Sequence, residues 1–255
     1  MLYLIGLGLS ERDLSLKAFE LLKKIVNIYV DTYTNYFDFD LLWLEKELNK
    51  KIVPLSRNDM EKNPSFLDIA KSEEVAILVS GDPLVATTHT DIILRANKMG
   101  VKTKIYHASS IYSAIAETGL HIYRFGKTAS IPYPEENFFP KSFYDVIIQN
   151  KERNLHTMLL LDVKKEENLF MNPKEAIDIL KEVDKNRNIK DIIVISRISY
   201  ENQKIIYGDI DELIKIENKY YGLPPHTLVV PAELHFAEEE YLFSLAEIYK
   251  NSKNK

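Results

Sequence analysis

An unbroken apolar run at residues 75–79 constrains the fold more than any other part of the chain. A strand that is apolar at every position is typical of a parallel sheet covered on both faces. The run stops at Gly81, and Asp82 and Pro83 then predict the N-cap and first turn of a helix that reaches Lys98. In open α/β sheets, ligands bind at such carboxyl ends of strands. The same residues also suit an ordinary strand-to-helix turn, so the motif alone leaves both interpretations open.

The order of strand, turn and helix repeats along residues 1–114. Such a repeat predicts a mostly parallel sheet with helices, joined by right-handed crossovers. The pattern changes at residues 119–140, where three prolines and many aromatic residues predict a long ordered loop or irregular strands. After this segment, strands and helices alternate in the manner of an α+β domain. We therefore predict an N-terminal α/β domain at 1–114 and a C-terminal mixed-sheet domain at 115–255, with a ligand-binding cleft between them.

The spacing of apolar residues predicts the individual elements. Ser10 followed by Asp13 resembles a capping box for the first helix, and the polar residues at 57–63 predict a loop. Helices are predicted at 13–25, 37–48, 65–71, 83–98, 111–117, 143–150, 173–183 and 234–249. Strands are predicted at 2–9, 27–31, 51–55, 75–79, 102–107, 157–163, 191–198, 203–207 and 227–230.

Composition and charge argue against several classes of protein. A net charge of −5 argues against a surface that binds nucleic acid, because such surfaces depend on clustered Lys and Arg. The chain has no cysteine, which excludes disulfides, thiolate catalysis and cysteine-based metal sites and suits a reducing compartment. No apolar stretch approaches the ~20 residues that span a bilayer, and no basic leader opens the sequence. We therefore expect a soluble, cytoplasmic protein that acts on neither membranes nor nucleic acid.

Motifs for the common catalytic classes are missing from the sequence. Gly6 and Gly8 begin a dinucleotide-binding fingerprint, but Glu11 stands where its third glycine belongs. The six histidines form no His-x-x-x-His pair, so no metal site is expected, and there is neither a Gly-x-Ser-x-Gly elbow nor a Walker loop. What remains is a set of strand ends that offer small residues, backbone groups and one acid, Asp82. Such a crevice suits a cofactor that carries its own reactivity.

Five segments of the chain resemble one known family, and the match runs along nearly the whole sequence. They resemble the diphthine synthases, of the archaeal type, which belong to the tetrapyrrole-methylase-like methyltransferases. The resemblance implies a two-domain α/β fold with the cofactor in the interdomain cleft. The segments are GLGLSERDLS at 6–15, GDPLVATTH at 81–89, HASSIYSAIAETGLHIYRFGKTASI at 107–131, LHTMLLLDV at 155–163 and PPHTLVVPAELHFAEEEYL at 224–242.

The resemblance also implies a reaction, a cofactor and partners. The chain would be an S-adenosylmethionine-dependent N-methyltransferase that acts on the amino group of 2-(3-amino-3-carboxypropyl)histidine in translation elongation factor 2. The product would be diphthine, in a step of diphthamide biosynthesis. Members of this fold commonly form homodimers, so a homodimer is expected. Family members often have Ala at the position of Ile198, so a backbone contact is implied there. The family's cofactor contacts correspond to Leu9, Asp82, Val85, Ser110, Ile111, Leu161, Ile198 and His226.

The chemistry of methyl transfer agrees with a crevice of this kind. Transfer to an amine is an in-line displacement, for which an enzyme chiefly supplies proximity, alignment and exclusion of water. A catalytic base is not required if the amine arrives deprotonated, and the sequence nominates none. Two alternatives remain open at this point. One is a tetrapyrrole methyltransferase of the precorrin or uroporphyrinogen type, and the other is a non-catalytic module that binds an adenosine ligand.

Overall fold

The structure is a computed structural model, and it describes residues 1–10, 12–32, 40–135 and 139–249. Two predictions extend outside these ranges. The start of the helix predicted at 37–48 and part of the loop predicted at 119–140 lie outside the described residues. The chain divides into two compact units, Met1–Ala114 and Ile115–Lys255, and each unit contains its own main sheet.

The first unit is built on a five-stranded sheet. Its strands are β1 (Leu2–Gly6), β2 (Asn27–Asp31), β3 (Ile52–Leu55), β4 (Val75–Val79) and β5 (Thr103–Tyr106). Its helices are α1 (Leu16–Leu22), α2 (Leu42–Leu48), α3 (Arg57–Glu61), α4 (Ser65–Ile69), α5 (His89–Lys98) and α6 (Ile111–Ala114). The strand order is β3-β2-β4-β1-β5, and every neighbouring pair is parallel, which confirms the predicted parallel sheet.

Both faces of this sheet are covered, because its side chains alternate between two apolar cores. Leu2 and Leu4 of β1 pack with α4 and α5 on one face, whereas Tyr3 and Ile5 pack with α1 and α2 on the other. β4 is buried at every residue, since it has a strand on each side and helices on both faces. Full burial of each such aliphatic side chain contributes about 1.5–3 kcal/mol, so the middle strands form a stable platform for the loops at their ends.

The second unit is built on a six-stranded mixed sheet with the order β13-β11-β10-β12-β7-β6. The strands of the unit are β6 (Ala129–Ile131), β7 (Thr157–Leu161), β8 (Val163–Lys164), β9 (Leu169–Phe170), β10 (Asp191–Ser196), β11 (Lys204–Asp209), β12 (His226–Val230) and β13 (Glu247–Tyr249). The four middle strands are antiparallel, whereas β6 and β13 join the two edges in parallel. The predicted mixed sheet is therefore confirmed.

Several helices pack against the mixed sheet. The helices of the unit are α7 (Ser142–Glu152), α8 (Pro173–Val183), α9 (Ile210–Leu213) and α10 (Phe236–Leu245), with 3-10 turns at Ile115–Thr118, Ile122–Arg124, Lys165–Glu167 and Asn218–Tyr221. α7 and α8 bury their apolar sides against β10 and β12. Asn172 caps α8 in a capping box with Glu175, and Pro173 occupies the first turn, as predicted.

The first helix begins later than predicted. α1 starts at Leu16, and the side chain of Ser15 caps it by accepting a hydrogen bond from Ala18 N at 3.2 Å. Ser10 is therefore not the N-cap. Asp13 instead accepts hydrogen bonds from the backbone N–H groups of the loop that follows β1. The carboxylate thus stabilises the loop rather than the helix.

Three further boundaries differ from the predictions. The helix predicted from Pro83 begins at His89, and the polar segment at 57–63 contains α3, which Ser56 and Asp59 cap reciprocally. The last helix ends at Leu245, and β13 then adds a strand beside β11. Short apolar stretches suit a helix or a strand equally well, so pairing at the edge of a sheet decides such cases. In the described ranges, no helix is both long and apolar enough to cross a bilayer.

Candidate functional site

The carboxyl ends of β1, β4 and β5 lie at one edge of the parallel sheet. The connection from β1 to β2 passes through α1 on one face of the sheet, and the connection from β4 to β5 passes through α5 on the opposite face. In open α/β sheets, the loops after two neighbouring strands that diverge in this way enclose the ligand crevice. The described residues at 7–10, 12–15, 80–88 and 107–110 therefore form the candidate site of the first unit.

Glycines let these loops approach each other closely. A Cβ atom at Gly6 would lie 2.6 Å from the carbonyl oxygen of Gly81 and 2.7 Å from the Cβ of Ala108, so a larger residue does not fit. Gly8 has a φ of +82°, which favours glycine, and it pairs with Gly81 through backbone hydrogen bonds of 3.2 Å and 2.7 Å. The loops after β1 and β4 are thus joined backbone to backbone.

Asp82 lies in the loop after β4, but it is not the N-cap that the sequence predicts. Its carboxylate accepts hydrogen bonds from Leu84 N at 2.9 Å, from Ala108 N at 3.2 Å and from His107 Nδ1 at 2.8 Å. Asp82 is only 7% exposed, so these are charge-assisted bonds in a mostly buried setting. They fasten the loops after β4 and β5 to each other.

A buried histidine holds the far end of the same loop. His89 Nδ1 lies 2.9 Å from the carbonyl oxygen of Pro83, and His89 Nε2 lies 2.9 Å from Oδ2 of Asp31 at the end of β2. Both of the paired side chains are fully buried. Sequence reasoning missed this contact, because no local spacing relates two residues that are 58 positions apart.

The other predicted residues of the first unit lie on the same loops. Leu9 follows β1, and Val85 donates its N–H to the carbonyl of Asp82 at 3.2 Å. Ser110 is buried after β5, and Ile111 begins α6. The structure therefore brings the five predicted cofactor residues of this unit to one edge of its sheet.

In the second unit, the three predicted residues lie at one end of the mixed sheet. Leu161 is the last residue of β7, and His226 is the first residue of β12, its antiparallel neighbour. His226 also lies opposite Ser196, the last residue of β10. Ile198 follows two residues later and is buried. Sequence reasoning named Leu161, Ile198 and His226 as cofactor residues and gave Ser196 no contact; only the strand register shows that Ser196 lies opposite His226.

Two buried polar atoms at this end of the sheet have no hydrogen-bond partner. They are Ser196 Oγ and His226 Nδ1, and among the described residues Trp43 Nε1 alone shares this state. His226 Nε2 lies 3.3 Å from the carbonyl oxygen of Gly222. A carbonyl only accepts, so Nε2 carries the ring proton and Nδ1 is left as a bare acceptor. An unsatisfied buried polar group costs about 1–3 kcal/mol, which makes the pair a candidate contact for a ligand.

The charge state of His226 follows from its surroundings. Burial lowers the pKa of this imidazole from 6.5 to about 4, and the carbonyl of Gly222 opposes the shift with a smaller upward effect. The ring is therefore neutral at pH 7, as the bare acceptor at Nδ1 requires.

A second buried carboxylate, Glu238 of α10, organises another cluster. It accepts hydrogen bonds from His235 N at 2.8 Å, His121 N at 2.9 Å and His156 Nε2 at 3.2 Å, and it pairs with the guanidinium of Arg124. Burial raises the pKa of Glu238, but these hydrogen bonds outweigh burial and lower the pKa overall. The cluster is internally satisfied, so it stabilises the unit. Within the described ranges, no three metal-ligating side chains are grouped to hold an ion.

Comparison with known proteins gives the class of this chain. The profile of the family described as Tetrapyrrole (Corrin/Porphyrin) Methylases matches residues 1–214. This range covers the whole parallel sheet and most of the mixed sheet. The chain therefore belongs to the tetrapyrrole methylase family, and it is a methyltransferase.

Its relatives narrow the class further. A diphthine synthase of Methanocaldococcus jannaschii is 42% identical over 259 aligned positions, which cover 97% of this chain and 99% of that protein. A diphthine synthase of Methanococcus maripaludis strain C5 is 39% identical over 256 positions, with 97% and 99% covered. A crystal structure of diphthine synthase aligns with a TM-score of 0.88 at 34% identity, covering 97% of this chain and 96% of that one. Within the family, the chain falls in the diphthine synthase branch.

Proposed function

We propose that this chain transfers methyl groups from S-adenosylmethionine to the amino group of 2-(3-amino-3-carboxypropyl)histidine in translation elongation factor 2, giving diphthine. The observation that carries the proposal is the 42% identity to a diphthine synthase along 97% of this chain. A tetrapyrrole methyltransferase shares the fold, but the relatives at this level of identity are diphthine synthases. A tetrapyrrole substrate is therefore not favoured.

The loops of the first unit suit the methyl donor. Gly6 and Gly81 keep side chains away from the point where the loops after β1 and β4 meet, so a ligand can contact the backbone there. Leu9, Val85 and Ile111 add apolar contacts around it. The carboxylate of Asp82 has about four lone-pair positions, and three donors occupy it. One position is left for a polar group of the donor.

The end of the mixed sheet in the second unit has hydrogen-bonding groups of its own. His226 Nδ1 is a bare acceptor, and the hydroxyl of Ser196 can donate as well as accept. An amino group beside a ring nitrogen, as on the edge of adenine, matches this arrangement of acceptor and donor. We assign Ser196 to the adenine contact together with His226, and Leu161 and Ile198 to the apolar walls beside it.

The residues of the chain bind and align the reactants. When bound, S-adenosylmethionine supplies a methyl group on a sulfonium, which is already activated for displacement. The joined loops after β1 and β4 hold one position through backbone hydrogen bonds, which reduces the entropy lost when the reacting atoms align. Apolar side chains on these loops exclude water from the displacement.

Two further features complete the proposal. We expect a homodimer, which size-exclusion chromatography with light scattering would detect as twice the mass of one chain. We also expect the protein to act in the cytoplasm, because its proposed substrate is a translation factor. A monomer at micromolar concentration would contradict the first expectation without affecting the proposed reaction.

Mass spectrometry of elongation factor 2 tests the reaction directly. Purified factor that carries the precursor histidine is incubated with the enzyme and S-adenosylmethionine, and the modified peptide is expected to gain 14 mass units, about one CH₂, for each methyl group. The matched control is unmodified factor, which is expected to gain none. A precursor-bearing factor that remains unmethylated would refute the proposed function.

Calorimetry tests the assigned residues. Asp82→Ala and Ser196→Ala are each expected to weaken S-adenosylmethionine binding by about 10-fold, the loss of one hydrogen bond to a ligand. Ser72→Ala, in the exposed turn before β4 at the opposite edge of the parallel sheet, is the matched control for Ser196→Ala and is expected to leave affinity unchanged. Unaltered affinity in either test variant would remove that residue from the binding site.

A further inference from the structure

His107 forms a dyad with Asp82 at the carboxyl edge of the parallel sheet. It follows β5, and its Nδ1 lies 2.8 Å from Oδ2 of Asp82. The same oxygen accepts a hydrogen bond from Ala108 N, which identifies it as an acceptor. A carboxylate oxygen only accepts, so Nδ1 of the neutral ring carries the proton, and Nε2 keeps its lone pair. The His107 side chain is 68% exposed, whereas Asp82 is nearly buried. The buried carboxylate therefore holds the imidazole in place, and Nε2 of His107 is accessible as a base.

The remaining histidines differ from this arrangement. His89 and His156 are fully buried, and both nitrogens of each ring have partners within the protein. His226 Nδ1 is buried and unpartnered. His235 accepts a hydrogen bond from Ala237 N at Nδ1, so its outer nitrogen carries the proton. His121 belongs to the second unit, where it stands beside Glu238.

We propose that His107, oriented by Asp82, is the base that accepts the proton of the substrate amine. This inference rests on the proposed function, because an alkylammonium group has no free lone pair and cannot attack a methyl group. An acid-base side chain held by a buried carboxylate is the arrangement that positions an imidazole for such a transfer. His107 lies at the same sheet edge as Gly81, Asp82 and Ser110, so it stands beside the residues assigned to the methyl donor.

The proton and the electrons balance as follows. The ammonium group of the substrate gives one proton to Nε2 of His107, and the nitrogen regains its lone pair. The nitrogen then bonds to the methyl carbon as the carbon–sulfur bond of the sulfonium breaks, and the electron pair of that bond stays on sulfur. The imidazolium releases its proton to water. A second methylation needs the same proton transfer again, because the product amine is protonated as well.

The charged groups around Tyr106 and His107 include one carboxylate and two ammonium groups. Asp82 contacts the ring of His107 directly. Tyr106 precedes His107. The ammonium groups of Lys17 and Lys104 lie 5.7 Å and 5.4 Å from the centre of the Tyr106 ring.

Kinetics across pH test the proposal. In the intact enzyme with precursor-bearing factor, His107→Ala is expected to lower kcat by about 100-fold at pH 7, a typical contribution of general base catalysis. The deficit is expected to shrink as the pH rises and the amine loses its proton unaided. Added imidazole is expected to restore part of the rate, because the site is exposed. His235→Asn, which keeps the capping acceptor of α10, is the control and is expected to retain the wild-type rate.

Two measurements without turnover complete the test. Long-range ¹H–¹⁵N spectra of the free protein are expected to show His107 as the Nδ1–H tautomer, and Asp82→Asn is expected to change that tautomer. Calorimetry is expected to give the same S-adenosylmethionine affinity for His107→Ala and the wild type. A deficit that is equal at every pH and is not rescued by imidazole would show that His107 only braces the loop, and an Nε2–H tautomer would also overturn the proposal. A wild-type protein that binds the donor but methylates no factor would instead refute the proposed function.

Discussion

Acidification should destabilise the second unit through His226. Burial at the start of β12 lowers the pKa of this imidazole from 6.5 to about 4. In the unfolded chain the ring regains its ordinary pKa, so below that value the unfolded state binds a proton that the folded state excludes. The stabilisation is complete above pH 6.5 and is lost as the pH falls toward 4. With these two values, linkage gives a loss of about 2 kcal/mol between pH 7 and pH 5, and about 1 kcal/mol more by pH 4.

Urea unfolding of the wild type and of His226→Gln at pH 7, 6 and 5 measures this loss. Gln cannot titrate, so its free energy of unfolding is expected to fall by about 2 kcal/mol less than that of the wild type over this range. Burial also lowers the pKa of His156, so the wild type has a second source of acid sensitivity. His226→Gln retains that source, and the difference between the two proteins isolates His226. Equal losses in both proteins, or a His226 resonance that titrates near 6.5, would refute the reasoning.

Three further predictions concern packing and buried charge. Asp82→Asn leaves donors in the loops without an anionic acceptor and is expected to lower the free energy of unfolding by about 3 kcal/mol in urea; a change below about 1 kcal/mol would contradict the role of the carboxylate. Gly6→Ala forces the loops apart and is expected to weaken S-adenosylmethionine binding at least about 10-fold by calorimetry. The control is Gly100→Ala, where a Cβ meets nothing within 4 Å. It is expected to lower the free energy of unfolding by about 1 kcal/mol and to leave the affinity unchanged. Glu238→Gln removes the charge partner of the partly exposed guanidinium of Arg124 and is expected to lower the free energy of unfolding by about 2–3 kcal/mol. A thermal midpoint within about 2 °C of the wild type would contradict this.

The elements that sequence patterns predicted well are those with a strong local signal. β4 begins and ends at the predicted residues, because five consecutive apolar residues suit a strand that is buried on all sides. α8 also begins where Pro173 predicts, since proline at the first turn with an Asn cap before it is a local signal. The parallel sheet followed from the repeated order of strand and helix, which depends on neighbouring elements only.

The failures have a common physical cause. The Gly-Asp-Pro segment predicted a helix from Pro83, but the carboxylate of Asp82 joins Leu84 N to the loop after β5, and the helix begins only at His89. A cap needs only a neighbour three residues along, whereas this contact needs two loops that the sheet brings together. The residues of β13 were predicted as the end of a helix for the same reason. Pairing with β11 stabilises β13 as a strand, and a local sequence pattern contains no information about which sheet edge is available for pairing.

The sequence by itself determined the class of fold, the middle strands and, through its resemblance to a family, the candidate cofactor residues. These depend on apolar periodicity and on motifs that are contiguous in the chain. The tertiary structure alone decided that Asp82 orients His107, that Asp31 pairs with His89, and that Ser196 stands opposite His226 with its hydroxyl unpaired. Strand order and register bring these residues together, and they follow from the packing of the whole sheet rather than from any short stretch of residues.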